Sequence, residues 1–460
     1  MKRTSIKQAA LIAMMAVTLG SCNLYKKYEL PADNTFVADF KKSAEAEVDT
    51  TSLPYLGWEE VFTDPKLQNL IRLGLANNND LDNARLNIDI AKAQLRGAKL
   101  SYFPSLALTP NGGSASYGGS HMNWTYTIPA ALSWEVDAFG RLTNAKRTAQ
   151  VAVEQMQAYE QAARSQIICG IASTYYTIML LNQQLDLTKR TSEIWKDQVE
   201  SMELMKQAGR MNEAAVVQSR ANYYSIMGSI PELENSIKQA HNALSVLLGA
   251  YPQEWEIGND MNFDLPASLK SGVPMTYLAV RPDVRAAERS LATAYYTTQS
   301  ARAAFYPSLT ISAQGGFTNL LGSIVSNPGK WFIQLAGQLT APIFSRGRNI
   351  ANLEASKARQ AQAMNTFENT VLSASSDVSN ALTAIRTNSE KREYILKQID
   401  QLEKSVDYTQ ELLMYNTSTT YLELLTARSS LLSAQLSSLA CWHSKVAAII
   451  SLYQAVGGGR

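Results

Sequence analysis

The chain has 460 residues, 46% of them hydrophobic, and a formal charge of only +2. Near-neutrality removes the electrostatic case for a nucleic-acid partner, and beyond residue 22 no apolar run approaches the roughly 20 residues of a spanning helix. The length admits several ordinary domains, but a unit of about 205 residues that occurs twice organises the chain instead.

The first 21 residues read as a signal peptide: Lys2, Arg3 and Lys7 precede an apolar core over 9–19. Leu19-Gly20-Ser21-Cys22 resembles the lipobox of bacterial lipoproteins, so Cys22 is expected to open the mature chain and carry a covalent lipid anchor. Asn23 follows, not the aspartate that would suggest inner-membrane retention. Cys169 and Cys441 sit in apolar helical contexts and are expected to be buried free thiols.

Residues 22–60, with Pro31, Pro54 and Gly57, read as an extended tether. The first repeat is placed at 61–249. Asp64-Pro65 is an N-cap followed by proline at the first helical position, opening a short helix to about Ala76. The next helix, 80–101, carries Leu81, Ala84, Ile88, Ala91 and Leu95 on one face. Pro104 ends it, since proline lacks the N–H and crowds the preceding turn. Two strands are expected within about 105–137. Trp124, Tyr126, Ile128, Ala130, Leu132, Trp134 and Val136 share one face, and Thr125, Thr127, Ser133, Glu135 and Asp137 the other. That is the apolar-out, polar-in alternation of a barrel strand. The glycines of 110–114 and 118–120 read as a flexible turn region.

A proline-free helix follows from about 144 to 207, roughly 95 Å long at its rise per residue. Its expected seam steps through Ala145, Ala149, Ala152, Met156, Tyr159, Ala163 and Ile167, alanine-rich enough for close coiled-coil packing. Residues 208–212 reverse the chain, and a return helix containing Pro231 runs to Leu248. Residues 250–280 link the copies.

The second repeat, 281–456, restarts the order. Pro307 lies about 203 residues after Pro104 and marks the same passage from helix to strand. Strands are expected within about 308–343, then a rod to Tyr415 with Ile395, Ile399, Leu402, Val406 and Leu413 on its seam. Residues 416–420 reverse the chain into a last helix with Leu422, Leu425, Leu432 and Leu436. The tail, 457–460, reads as a frayed end.

Four barrel-like strands cannot close a barrel, because the smallest spanning barrels need about eight. An open sheet would expose two hydrogen-bonding edges, which hydrocarbon does not tolerate. The fold class expected is therefore a membrane α+β protein. A trimer would close a 12-stranded β-barrel, four strands per chain, continued by a long α-helical coiled-coil barrel. A lipid-anchored coiled-coil scaffold is the alternative, disfavoured by the aromatic alternation.

Arg281-Pro282-Asp283-Val284-Arg285-Ala286-Ala287-Glu288, then Ala303-Ala304-Phe305-Tyr306-Pro307-Ser308-Leu309, resemble the outer-membrane factor family of TolC/OprM-type channel-tunnels. Asn242–Gly249 and the run Trp134-Glu135-Val136-Asp137-Ala138-Phe139-Gly140-Arg141 are similar to its lipoprotein branch, and the likeness covers essentially the whole mature chain. The resemblance implies a homotrimer in outer-membrane lipid, reaching across the periplasm. It implies a passive exit duct for drugs or other toxic small molecules. A periplasmic adaptor and a proton-driven or ABC inner-membrane transporter would complete the pump. The duct of a type I protein secretion system is the alternative. Adaptor-contacting tips fall at Gly209 and Arg210 and at Thr417 and Ser418, although Thr417 stands where the family commonly has glycine. The periplasmic gate falls at Glu423, with Met414, Tyr415 and Thr419; Thr426 stands where some members have a second acid.

Enzyme chemistry is not expected. His121, His241 and His443 lack ligand spacing with the cysteines, and Gly112-Gly113 and Gly315-Gly316 precede no lysine-bearing phosphate loop. No metal or cofactor is expected besides the lipid on Cys22.

Overall fold

The computed structural model describes residues 25–31, 40, 57–116, 118–119, 123–264, 275–318, 330–415 and 421–459; Cys22, His121 and the second reversal lie outside them. In chain order the helices α1 (Trp58–Val61), α2 (Pro65–Asn77) and α3 (Asn79–Leu100) precede strands β1 (Ser105–Leu108), β2 (Asn111–Ala115) and β3 (Asn123–Val136). Helices α4 (Arg141–Gln207) and α5 (Glu213–Leu247) follow, then a 3-10 turn at Met275–Val280. The second copy comprises α6 (Pro282–Ala303), β4 (Ser308–Thr318), β5 (Lys330–Thr340), α7 (Arg348–Tyr415) and α8 (Tyr421–Ala455). The duplication is visible in lengths: α3 and α6 have 22 residues each, α4 and α7 have 67 and 68, α5 and α8 have 35 each. Helix α1 lies at the end of the stretch expected to be an extended tether.

The described residues fall into two compact units, each drawing on both repeats. The first takes 25–31, Leu86–Ala158 and Arg285–Asn369; the second takes 57–85, Tyr159–Val284 and the chain from Thr370.

The first unit holds one antiparallel sheet in the order β1–β3–β4–β5, with β2 also on β3. The region expected to be a flexible turn is β2, paired from Asn111↔Thr127 to Ala115↔Asn123. Ladder bonds need only backbone, and a Cβ on Gly112 would lie 3.3 Å from the Thr125 carbonyl, so glycine permits the approach. β1 and β2 are one ribbon interrupted once. Thr109 N–H donates to the Pro129 carbonyl at 3.1 Å, and proline has no N–H to return. β3 and β4 join the two repeats through the register Thr127↔Thr318 to Val136↔Leu309. Pro129 faces Gly316, where a Cβ would meet the Ile128 carbonyl oxygen at 2.1 Å.

In the second unit, Asp64 caps α2 by accepting from Lys66 N–H at 2.8 Å, as its sequence indicates. Its other carboxylate oxygen accepts from the Tyr175 hydroxyl, which in turn accepts from Gly258 N–H at 2.7 Å. Phe62, Phe263, Tyr176, Trp442 and Tyr453 pack ring to ring at 5.1–6.1 Å between centroids. Arg281, of the recognised Arg-Pro-Asp motif, is buried. It donates to Asp283 at 2.7 Å, Asp377 at 3.1 Å and the Ala455 carbonyl at 2.9 Å, tying the start of α6 and the end of α8 to the middle of α7.

Three expectations change. The interior stripe of α4 runs through Asn144, Val151, Ala158, Ser165, Ala172 and Met179, a seven-residue repeat, while Ala145 and Tyr159 are exposed. Alanine at threes and fours fits neighbouring stripes equally well, and polar Asn144 and Ser165 disguised the true one. In the first turns of α8 Tyr421, Leu424, Leu425 and Ala427 are buried, and Leu422 is exposed. The C-terminal tail is packed, not frayed: Val456, Gly457, Gly458 and Gly459 are buried, and Gly459 N–H donates to the Tyr453 hydroxyl at 2.9 Å. Cys169 and Cys441 are buried and free.

Candidate functional site

Two regions carry chemistry beyond packing, one in each unit. The first is the sheet. Register aligns Val136, Leu309 and Leu339; Trp134 and Ile311; Leu132, Leu106, Ala313 and Leu335; and Ile128, Phe317 and Trp331 on one face. This face is open: Leu106, Trp124, Trp331, Ile333, Leu335 and Leu339 are each 66–77% exposed. The opposite face carries Thr127 bonded to Thr318 at 3.1 Å and Gln314 bonded to Gln334 at 2.7 Å. An apolar surface of this extent calls for a non-aqueous partner. No described helix is long and apolar enough to cross a membrane.

Where strands become helices, Asp137 caps α4, accepting from Leu142 N–H at 3.0 Å and Thr143 N–H at 2.8 Å. Glu135 is ion-paired with Arg141. A cavity of about 370 Å³ opens here, lined by Glu135, Asp137, Arg141, Tyr306, Thr310 and Arg348. Residues 25–31 clasp the same level. The Tyr25 hydroxyl donates to the Asp137 carbonyl at 2.8 Å, Arg147 donates to the Tyr25 carbonyl at 2.8 Å, and Tyr28 N–H donates to the Tyr296 hydroxyl at 3.1 Å.

The second region lies where α4, α5, α7 and α8 end or begin. Gly209, at φ 72°, closes α4: Gly209 N–H bonds the Lys206 carbonyl and Arg210 N–H the Met205 carbonyl, both at 2.9 Å. Asn212 then caps α5 by accepting from Ala215 N–H at 3.0 Å. Beside this reversal Trp195, Met202, Val216, Tyr421, Leu424 and Leu425 form one buried cluster, with Met211 and Leu413 against it. Burying a side chain of leucine size contributes about 1.5–3 kcal/mol, so the cluster binds the first hairpin to the second. The Tyr421 hydroxyl donates to Ser219 Oγ at 2.9 Å, and Arg428 donates to Gln410 at 2.9 Å. Burial lowers the Arg428 guanidinium below its ordinary pKa. Lys206 pairs with Glu213 and holds that carboxyl below its usual range, and Arg220 pairs with Glu203.

Of the residues expected to form tips and gate, Gly209 and Arg210 are exposed at the first reversal. Glu423 is exposed on the side of α8 away from the cluster, whose buried members 421, 424 and 425 flank it. Met414 and Tyr415 close α7, but their side chains, and all of Thr417, Ser418 and Thr419, lie outside the described residues, as does Cys22. The Tyr421–Ser219 bond and the 25–31 clasp were not expected from sequence. The apolar spacing of Tyr421, Leu424 and Leu425 was a readable signal for the first; no local pattern announces the second.

The model of the outer membrane efflux protein family matches the chain twice, over residues 70–250 and 273–458. The chain is 30% identical over 414 residues, 88% of each chain, to the probable outer membrane lipoprotein SilC of Salmonella typhimurium. It is 29% identical to the cation efflux system protein CusC of Escherichia coli, covering 97% of this chain and 98% of that one. A solved CusC structure, described for its conformational changes on folding and transmembrane channel formation, superposes with a TM-score of 0.83 at 25% identity, covering 94% and 99%. The toluene efflux pump outer membrane protein TtgC of Pseudomonas putida is 28% identical over 98% and 96%. With both of its repeats matched, the chain belongs to the outer membrane efflux protein family.

Proposed function

We propose that three copies of this outer-membrane channel protein form the passive exit duct of a tripartite efflux pump for toxic small molecules. The observation that carries the reading is the apolar sheet face whose two edge ribbons, β1/β2 and β5, each have a partner on one side alone among the described residues. Hydrocarbon tolerates the face and forbids the edges. Three sheets joined edge to edge satisfy both conditions and enclose the Thr127, Gln314 and Gln334 face as a wet lumen. The lipid on Cys22 would add a second hold on the membrane. A periplasmic adaptor would meet the tips at Gly209, Arg210, Thr417 and Ser418, and an inner-membrane transporter would supply the energy. Three Glu423 side chains, with Met414, Tyr415 and Thr419 nearby, would form an acidic gate.

CusC is named for cations and TtgC for toluene, which supports small-molecule export over polypeptide secretion and leaves the compound to the companion pump. The assembly is tested in outer-membrane fractions run on gels without heating. A band at about three times the mass of the mature chain, reduced to one chain on boiling, is expected. A single-chain band under mild detergent would overturn the trimer.

A further inference from the structure

The two strand-to-helix junctions are built on the same frame but differ in charge. Gly140 and Gly347 hold φ 72° and 77°, and Arg141 and Arg348 start α4 and α7 directly after them. Counting back from those glycines, Glu135 corresponds to Pro342, Val136 to Ile343, Asp137 to Phe344 and Phe139 to Arg346. The first junction neutralises itself: Glu135 takes Arg141, and Asp137 caps the helix. The second has lost both carboxylates. In their place stand Pro342 and Phe344, with Ile343 between them; Ile343 and Phe344 are 96% and 85% exposed, and Arg346 follows, exposed and with no ion pair among the described residues. Arg346 sits at φ 50°, a left-handed conformation that glycine would hold with less strain.

Glu135 and Asp137 line the junction cavity with Ser345, but both are already engaged, with Arg141 and with the start of α4. No aspartate or glutamate occurs over 90–134 or over 289–353, so Glu135 near the end of β3 is the one acid in β1 to β5, while Lys92, Arg96, Lys99, Arg302, Lys330, Arg346 and Arg348 fall in those stretches. A second copy joined at the β5 edge would present β1 and the end of α3, which bring Arg96 and Lys99. Arg348 lines the junction cavity on the polar side; Ile343, Phe344 and Arg346 do not. Ile343 continues the alternation of Trp331, Ile333, Leu335 and Leu339, and so the open apolar face.

We propose that residues 343–346 form a foot on the periplasmic leaflet of the outer membrane, with Ile343 and Phe344 among the acyl chains and Arg346 on phospholipid phosphate. The order suits that surface: apolar residues continue a lipid-facing strand, and a cation follows at headgroup depth. The inference rests on the sheet spanning the membrane, and the experiment separates the two.

Benzoylphenylalanine is placed at position 335, 343 or 344 of the full chain in cells and irradiated. Position 335, in mid-strand and 77% exposed, must give a phospholipid adduct; its failure would remove the membrane reading itself. Given that adduct, lipid adducts at 343 and 344 support the foot, whereas adducts to a second copy, or none, overturn it. For the headgroup, purified assemblies are equilibrated with mixed phosphatidylglycerol and phosphatidylcholine, and bound lipid is counted by native mass spectrometry. Arg346→Gly, which relaxes the backbone and should keep the assembly intact, is expected to cut the preference for phosphatidylglycerol about fivefold. Arg346→Lys should retain most of it. An unchanged preference in Arg346→Gly would overturn the phosphate contact.

Discussion

Glu288 shows how a single side chain can oppose the fold that surrounds it. It lies on α6, 23% exposed, with Arg289 at 3.9 Å and Arg285, Glu154 and Tyr28 as its other charged or titratable neighbours. Burial raises its carboxyl above the ordinary carboxylate range, and the two arginines only partly offset that. A raised acid means the folded chain keeps a proton that the unfolded chain has already released. Stability therefore falls as pH rises from the ordinary value of 4.5 through the folded one, and the loss is complete above it. Glu288→Gln removes the ionisable group and keeps a polar side chain of the same shape. It should raise the apparent melting temperature by a few degrees at pH 8 and leave it nearly unchanged at about pH 4. An equal shift at both values would assign the effect to packing instead.

At the scale of elements, the tail beyond α8 makes the sharpest claim. The helix closes with Gly457 N–H on the Gln454 carbonyl and Gly458 N–H on the Tyr453 carbonyl, both at 3.0 Å, and the glycines then enter the core of the second unit. A Cβ at Gly458 would lie 2.5 Å from the Tyr453 ring. Gly458→Ala should therefore destabilise the folded chain by about 1–3 kcal/mol, as overpacking does; a frayed tail would show no change in denaturant midpoint. The elements legible in the sequence were those whose signal is local. Proline marked both helix ends at Pro104 and Pro307, alternation marked β3, β4 and β5, and the doubled order of elements marked the repeat. What stayed hidden depends on partners distant in the chain. β2 exists because β3 offers a backbone to Gly112 and Gly113, and the tail is ordered because Tyr453 and Ser165 enclose it. Among the proposed gate residues, sequence could name Glu423, but the cluster from Trp195 to Leu425 beside it draws on three helices, with Val406 and Leu413 of α7 packed against it.

The whole molecule places its two kinds of surface at different stations along the chain. Strands turn an apolar face outward, while the helical tips pair charges, Lys206 with Glu213 and Arg220 with Glu203, next to a buried cluster. Those pairs are half-exposed and contribute little each; the cluster does the holding. Glu423 takes no part in it, and among the described residues it has no ion pair. Its one structural service among the described residues is to place a negative charge in the first turn of α8, which leaves the carboxylate free to face a lumen. In a three-fold assembly the three copies would form an acidic ring that concentrates cations at the periplasmic mouth. Glu423→Gln removes the charge with almost no change in volume. In single-channel recordings at low salt it should weaken cation selectivity severalfold, and less so at high salt, where the Debye length shrinks to about 3 Å at 1 M. Tip packing supplies the control, because Leu424→Ala should loosen the cluster and alter opening without touching selectivity. If Glu423→Gln leaves both selectivity and its salt dependence as they were, the acid faces solvent outside the conduction path.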